Sequence, residues 1–188
     1  MQSRETVFGS LRKIFGGRDQ AKPSEDWPSI VLLLKQAHLP TAEQAVEMAR
    51  AAWGAAAPVE LLGTPGPHSF ALRVSPLTFA LHAFAGRYEV GQFDLSLAQQ
   101  QSWDQHTAWL SVDLPRRRTA QLRTEGRLGS AYMSLMYFVS KHWSSNCLAM
   151  YFPAERITVP NQGNLMDSIR WAGRNGIDVS FLREAKKN

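Results

Sequence analysis

Asp104 and His106 are the residues of the sequence best suited to acid–base chemistry. A carboxylate can orient a nearby imidazole, and histidine is the side chain that most readily transfers protons near neutral pH. The pair comes just before a run that predicts a strand, and strand ends often carry functional side chains. His106 also shares the strand parity of Ala108 and Leu110, which instead favours a hydrogen-bonded histidine at the edge of the core. The sequence leaves both roles open.

Arginines are concentrated in one internal stretch, which makes it the candidate anion-binding segment. Arg116, Arg117 and Arg118 are consecutive, and Arg123 follows them. We expect a loop here, between a strand and the longest helix. A helix N-terminus favours anions, and guanidinium groups bind phosphate or carboxylate through paired hydrogen bonds. The stretch lacks the interleaved aromatic residues of nucleic-acid surfaces, so an acidic protein or a small anion is the favoured ligand. A merely solvated basic loop is the alternative.

Trp109 is the aromatic residue whose position would most directly reveal a binding surface. In the alternating run that follows His106, Ala108 and Leu110 lie on one face, whereas Trp109, Ser111 and Asp113 lie on the other. An exposed tryptophan is typical of an interaction surface. Packing in a second layer is the alternative.

The other polar residues give no local sign of a metal, a cofactor or a nucleophile. The five histidines are scattered, whereas zinc ligands come as close pairs. Phosphate loops, dinucleotide fingerprints and nucleophile elbows are absent from the sequence. Cys147 begins an apolar run, which predicts a buried, inert thiol. We therefore expect neither a metal nor a cofactor.

Hydrophobic patterns predict the elements that must position these residues. Continuous aliphatic runs predict buried strands with both faces covered, and alternating runs predict strands with one apolar face. The predicted strands are 29–35, 59–62, 70–74, 77–83, 107–114 and 147–152, with a short edge strand within 177–182. The predicted helices are one that a Thr41–Gln44 capping box begins and Gly54 ends, one at 124–143 and one at 162–174 capped by Asn161. This mixture predicts an α+β fold, with a mostly antiparallel sheet and helices packed on one side.

The length and the polarity pattern predict one domain with two appendages. A domain of about 100–200 residues is typical, and we assign it residues 27–182. We predict an amphipathic basic helix and a linker over residues 1–26, and a basic tail over residues 183–188. A short helix is marginal alone. We therefore expect it to dock on its own domain, on a membrane surface or on a second copy of the chain, which would make a homo-oligomer.

The charge balance and the apolar runs restrict the class of protein. The net charge is +5, which permits an acidic partner. No apolar run approaches the roughly 20 residues of a membrane-spanning helix, and the first residues lack the pattern of a secretory signal. A lone cysteine fits a reducing compartment. We therefore expect a soluble cytoplasmic protein.

Two functions of different class are consistent with these observations. The first is a non-enzymatic interaction domain that presents its arginines and Trp109 to an acidic protein partner, in the manner of an immunity or regulatory protein. The second is a hydrolase or transferase that acts on an anionic substrate through His106 and Asp104. The second requires these two side chains to converge with the arginines on one accessible cleft.

One family resemblance adds to this interpretation. The run Trp103-x-x-His106-x-Ala108-x-Leu110, the long helix after it and the segment 148–153 resemble a bacterial family known only as a domain of unknown function. The likeness covers the order of elements over roughly residues 28–175. It implies a bacterial, cytoplasmic α+β domain, and it brings no established activity, cofactor or catalytic residue.

Overall fold

Strands rich in aliphatic and aromatic residues build the centre of the fold. The computed structural model describes residues 29–89 and 96–182, so the predicted N-terminal helix and the basic tail lie outside the described residues. The strands are β1 (Ser29–Leu34), β2 (Val59–Gly66), β3 (Ser69–Val74), β4 (Leu77–Ala85), β5 (Ala108–Asp113), β6 (Cys147–Phe152) and β7 (Ile157–Pro160). They form one sheet in the order β2–β3–β4–β5–β1–β6–β7. Every pair of neighbours is antiparallel.

The described ranges also hold five α-helices and one turn of 3₁₀-helix. They are α1 (Ala42–Trp53), α2 (Leu97–Gln105), α3 (Arg116–Thr124), α4 (Leu128–Trp143), α5 (Leu165–Arg174) and the 3₁₀-helix Ser180–Leu182. Among the described residues, none of these helices has the length and apolar character needed to cross a membrane.

Strand β1, which lies between β5 and β6, is apolar on both sides because both faces of the sheet are covered. Ile30 and Leu32 point into the main core, which α1, α4 and α5 close. Val31 and Leu33 point the other way, into a second cluster with Tyr88 and other aromatic residues. These four side chains of β1 are fully buried. The burial of each contributes about 1.5–3 kcal/mol to the stability of the fold.

The predicted fold class is confirmed: the chain is α+β, with an antiparallel sheet. The main helical layer lies on one side of the sheet, as expected. One short helix, α2, lies on the opposite face, where Trp103 joins the second cluster and its Nε1 donates to Thr158 Oγ1 at 3.2 Å. The connection before β5 therefore supplies part of the cover for the second face.

The basic stretch is a helix, so the expected loop is wrong. Arginine, alanine, glutamine and leucine all favour helices, and Pro115 begins the helix without needing its missing N–H. Thr119 and Leu122 are buried and dock α3 on the molecule. Gly126, with φ of +68°, separates α3 from α4. The helix predicted over 124–143 is therefore the shorter helix α4, preceded by an independent one.

Three further details near the C-terminus differ from the expectations. Strand β7 is not predicted by the sequence, because four residues that end in Pro160 are too few to show a period. The segment expected to be an edge strand is the 3₁₀-helix, whose Leu182 enters the core. The cap of α5 is Asn164 rather than Asn161, since its Oδ1 accepts from the N–H of Met166 and of Asp167.

Candidate functional site

Helix α3 carries the predicted anion-binding arginines. It begins at Arg116, the side chains of Arg117 and Arg123 are exposed, and Arg118 is half-buried. Leu122 packs into the main core on the opposite side of the helix. The amphipathic docking of α3 thus holds a short rigid helix in place while directing two of its arginines to solvent.

The charge of α3 is poorly compensated by its own surroundings. The first turn has no acidic residue, although the N-terminal end of a helix is itself positive and favours anions. The Nη1 of Arg118 donates to Gln121 Oε1 at 2.6 Å, and Arg127 lies 3.6 Å from a Glu125 oxygen. The side chains of Arg117 and Arg123 make no hydrogen bond or ion pair within the described part of the chain. Two guanidinium groups are therefore available to an external acid.

Trp109 is not part of this exposed surface, which corrects its assignment as a binding residue. Its side chain is 7% exposed and belongs to the second cluster. Its ring stacks on Phe84 with centroids 4.3 Å apart, and it meets the edge of Tyr88 at 4.9 Å. Packing against two aromatic rings from other segments explains its presence on this strand.

His106 is buried, and main-chain groups bind both of its ring nitrogens. Its Nε2 accepts from the Tyr88 N–H at 2.9 Å, and its Nδ1 lies 2.5 Å from the Trp103 carbonyl oxygen. An N–H can only donate, so the proton of a neutral ring must be on Nδ1. Burial lowers the pKa of His106, against the hydrogen bond to Trp103. The imidazole is therefore neutral near pH 7 and joins the end of α2 to the segment before it.

Asp104 does not share this environment. It is exposed on α2, and its Oδ1 accepts from Gln100 Nε2 at 3.0 Å. Its carbonyl oxygen accepts from Arg87 Nη2 at 2.8 Å. The carboxylate is thus bound to a neighbour on its own helix, whereas the ring nitrogens of His106 are bound to the main chain.

The structure does not bring His106 and the α3 arginines together. His106 precedes β5 and α3 follows it, so the six residues of that strand lie between them. A strand advances about 3.3 Å per residue, which separates the two groups by more than 15 Å along β5. The convergence that the hydrolase or transferase alternative requires is therefore not present among these residues.

The second face of the sheet carries a polar cluster that the sequence did not predict. His82 and Ser111 are cross-strand partners, and Asp113 lies two residues further along β5 on the same face. Ser111 Oγ donates to Asp113 Oδ2 at 3.1 Å, and His82 Nε2 lies 3.4 Å from the same oxygen. The parity of Ser111 and Asp113 was visible in the sequence, but the register that adds His82 was not.

This cluster does not have the geometry of an activated nucleophile. The Ser111 proton points to Asp113, whereas activation would require it to point to the imidazole. Burial lowers the pKa of His82, although the Asp113 charge opposes that shift. The arrangement gives a shared carboxylate with two neighbours, which is a structural network in the sheet.

The described ranges contain neither an assembled metal site nor a reactive thiol. No group of three or more histidine, cysteine or acidic side chains there could hold a metal ion. Cys147 is buried as predicted, and its Sγ donates to the Ala149 carbonyl oxygen at 3.1 Å. Burial raises the pKa of this thiol, so the nucleophilic thiolate is suppressed.

The chain is an α+β protein, and its basic helix α3 follows strand β5 with Arg117 and Arg123 exposed. Comparison with protein-family models, curated proteins and solved structures gives no match to this chain. The resemblance to a bacterial family of unknown function therefore stays a prediction.

Proposed function

We propose that this protein is a non-enzymatic cytoplasmic interaction domain whose helix α3 binds an acidic protein partner, as an immunity or regulatory protein would. The observation that carries the proposal is the pair of exposed arginines, Arg117 and Arg123, which have no ion-pair partner among the described residues. Their helix also carries no acidic residue.

The chemistry of α3 suits carboxylates on a protein surface. A guanidinium group binds a carboxylate through two parallel hydrogen bonds, and arginine is less strongly hydrated than lysine. Because Leu122 and Thr119 hold the helix on the fold, little conformational entropy is lost when the helix binds. The arginines would also accelerate association with an acidic surface by long-range attraction.

Nucleic acid is the less favoured partner, although phosphate also attracts arginine. Proteins that bind single strands combine basic side chains with aromatic rings on which bases stack. The nine residues of α3 include no aromatic residue, and the nearby strand's Trp109 is buried. The site therefore offers charge without a stacking surface.

Binding of a fluorescein-labelled octaglutamate peptide to the full chain tests this function by fluorescence anisotropy. We expect saturable binding that weakens as salt is added, since exposed charges are screened over about 8–10 Å at physiological ionic strength. The double variant Arg117→Glu/Arg123→Glu should lose about tenfold or more in affinity, since it replaces two attractive contacts by repulsive ones.

The matched control reverses two arginines elsewhere and gives the same change in net charge. Arg50 and Arg170 are exposed on α1 and α5, where each pairs with an acidic residue three positions earlier. The variant Arg50→Glu/Arg170→Glu should bind octaglutamate within about twofold of the wild type. Equal losses in both variants, or tighter binding of an oligothymidylate of eight nucleotides, would refute a specific acidic-protein site on α3.

A further inference from the structure

One half of the second face, over β3, β4 and β5, is buried although most of its side chains are small. Two rows of cross-strand partners form this surface, which we call the β3–β5 patch: Ser69, His82 and Ser111, then Ala71, Ala80 and Asp113. Ala71 and Ser111 have no exposed surface, and Ala80 is 1% exposed. The apolar residues that alternate with the patch along these strands belong to the main core, so the patch points away from that core.

The side chains around Ala71 are too small to bury it. Its cross-strand partners are Ala80 and Gly63, which place only a methyl group and a hydrogen atom beside it. Arg73, the next residue of β3 on this face, is half-exposed and binds Glu60 through Nη1 at 2.8 Å. A side chain of this size on one face of a sheet is buried only when other atoms lie above it.

The described helices lie elsewhere on the sheet. Helices α1, α3, α4 and α5 all contribute residues to the main core, on the other side. Helix α2 lies on the second face, but it packs on β6 and β7, at the opposite end of the strand order from β3. The Tyr88 ring lies over the middle of the sheet, with centroids 4.9 Å from Trp109 and 6.1 Å from Tyr151. These described elements therefore do not account for the burial of the β3–β5 patch.

Three stretches of the chain lie outside the described ranges, and two of them join the fold away from the patch. The stretch 183–188 follows Leu182, which enters the main core on the opposite side of the sheet. The stretch 90–95 leads to Ser96, the cap of α2, and α2 packs on β6 and β7. The third stretch, residues 1–28, joins the fold at Ser29.

We propose that the β3–β5 patch is the docking surface for residues 1–28 of the same chain, with the apolar side of the helix predicted at 6–15 lying across the three strands. This inference is independent of the function proposed for α3. Ser29 is the cross-strand partner of Asp113, which belongs to the patch, so residues 1–28 join the sheet at its edge. A helix of about ten residues is about 15 Å long, and three strands about 4.8 Å apart are together about 14 Å wide.

The two surfaces also suit each other in the size of their side chains. Val7, Leu11 and Ile14 recur at helical spacing, with Arg12 and Lys13 on the opposite side of the predicted helix. The alanines and serines of the patch leave room above the sheet for larger apolar side chains, and protein interiors are filled to crystal-like density. A short helix is marginal alone, so packing on the sheet supplies the stability that the helix lacks.

Thiol accessibility in the full chain tests this docking. Ala80→Cys places a thiol in the patch, whereas the native Cys147 is buried and supplies the background rate. We expect the new thiol to react slowly with Ellman's reagent, and about tenfold or more faster once Leu11→Glu/Ile14→Glu is added. Carboxylates on the apolar side of the helix cannot be buried against the sheet without a large cost.

The matched control is Arg12→Ala/Lys13→Ala, which changes the net charge equally on the opposite side of the predicted helix. It should leave the rate within about twofold of that of Ala80→Cys alone. Ala71→Cys is a second probe of the same patch and should behave as Ala80→Cys does. Ala149→Cys should stay unreactive in every background, because Ala149 is fully buried in the second cluster, which described aromatic residues form.

Three results would overturn the docking. They are rapid reaction of both patch thiols in the otherwise unchanged chain, protection that persists with Leu11→Glu/Ile14→Glu, and exposure of Ala149→Cys to the same extent as the patch in that variant. Sedimentation velocity identifies a fourth. Protection that is lost on dilution together with a dimeric mass would assign the cover to a second copy of the chain, and docking within one chain would be wrong.

Discussion

His106 is the residue that most clearly joins two segments of the second face. In its neutral form the imidazole ring offers one donor and one acceptor on opposite sides. Here the donor satisfies the Trp103 carbonyl near the end of α2, and the acceptor takes the Tyr88 N–H. The carbonyls at the end of a helix lack internal partners, so this ring both caps α2 and fixes the segment that carries Tyr88.

Replacement of His106 by alanine should therefore be strongly destabilising. We expect His106→Ala to lower the free energy of unfolding by about 2–4 kcal/mol, since it removes two buried hydrogen bonds and leaves a cavity. The control His68→Ala removes a half-buried ring whose Nδ1 lies 3.2 Å from the Pro40 carbonyl oxygen, and it should cost about 0.5–1.5 kcal/mol. Urea denaturation of both variants measures the difference, and equal losses would contradict the bridging role.

For single residues, the sequence predicts the chemical role of a side chain better than it predicts which residues that side chain contacts. Its parity favoured a hydrogen-bonded His106 as one of two roles, and that is the geometry found. The burial of Trp109 could not be predicted, because Phe84 and Tyr88, which cover it, come from distant positions. The Tyr132 hydroxyl, which has no hydrogen-bond partner among the described residues, could not be predicted for the same reason: its neighbours are set by tertiary packing.

Local sequence patterns predicted some helices and strands correctly and others wrongly. The capping box of α1 is confirmed, with the Gln44 N–H donating to Thr41 Oγ1 and the Thr41 N–H to Gln44 Oε1. Helix α3 was expected as a loop because a run of arginines looks solvated, although its helix propensity is high. The charge does not oppose the helix here, since the side chains of Arg117 and Arg123 are exposed to solvent.

Local features of the two edge strands of the sheet make them poor partners for a further strand. The outer carbonyl of Thr158 on β7 accepts from Gln99 Nε2 at 2.7 Å. A polar side chain from α2 thereby occupies a main-chain group that would otherwise be open to another strand. At the opposite edge, β2 has two register shifts and contains Pro65, which makes it a poor template for pairing.

The boundary between α3 and α4 depends on the backbone of Gly126. Its φ of +68° strains any side chain, whereas an added Cβ would meet no atom within 4 Å. We expect Gly126→Ala to cost about 1 kcal/mol from backbone strain alone. Gly173→Ala, at an exposed position inside α5, should instead stabilise by about 0.5–1 kcal/mol. Thermal melts should show shifts of opposite sign, and a shift of the same sign would contradict this account.

The described residues form one sheet whose two faces are covered by different kinds of side chains. The main core is aliphatic and aromatic and is closed by α1, α4 and α5. The second face combines an aromatic cluster with buried polar groups such as His82. The continuous apolar run of β1 predicted that both faces would be covered, but the identity of the second cover depends on long-range pairing and could not be derived from it.

Buried and partly buried histidines lie on both faces of the sheet, which links the stability of the fold to pH. His82 and His106 serve the second face, and His142 Nε2 lies 2.8 Å from the Met48 carbonyl oxygen between α4 and α1. Burial is the largest cause that lowers the pKa of each of these three side chains. Each therefore takes up a proton less readily in the folded protein than in the unfolded chain.

The free energy of unfolding should consequently be nearly constant between about pH 7 and pH 8 and fall as the pH drops below about 6.5, the pKa of an unfolded histidine. In that window the unfolded chain binds more protons, so each of the three contributes a slope of at most about 1.4 kcal/mol per pH unit. Urea denaturation between pH 8 and pH 5.5 measures it. His142→Gln retains a donor for the Met48 carbonyl and removes one titrating ring, so its profile should be shallower. A profile that rises toward pH 5.5 would show that these rings are not held neutral by burial.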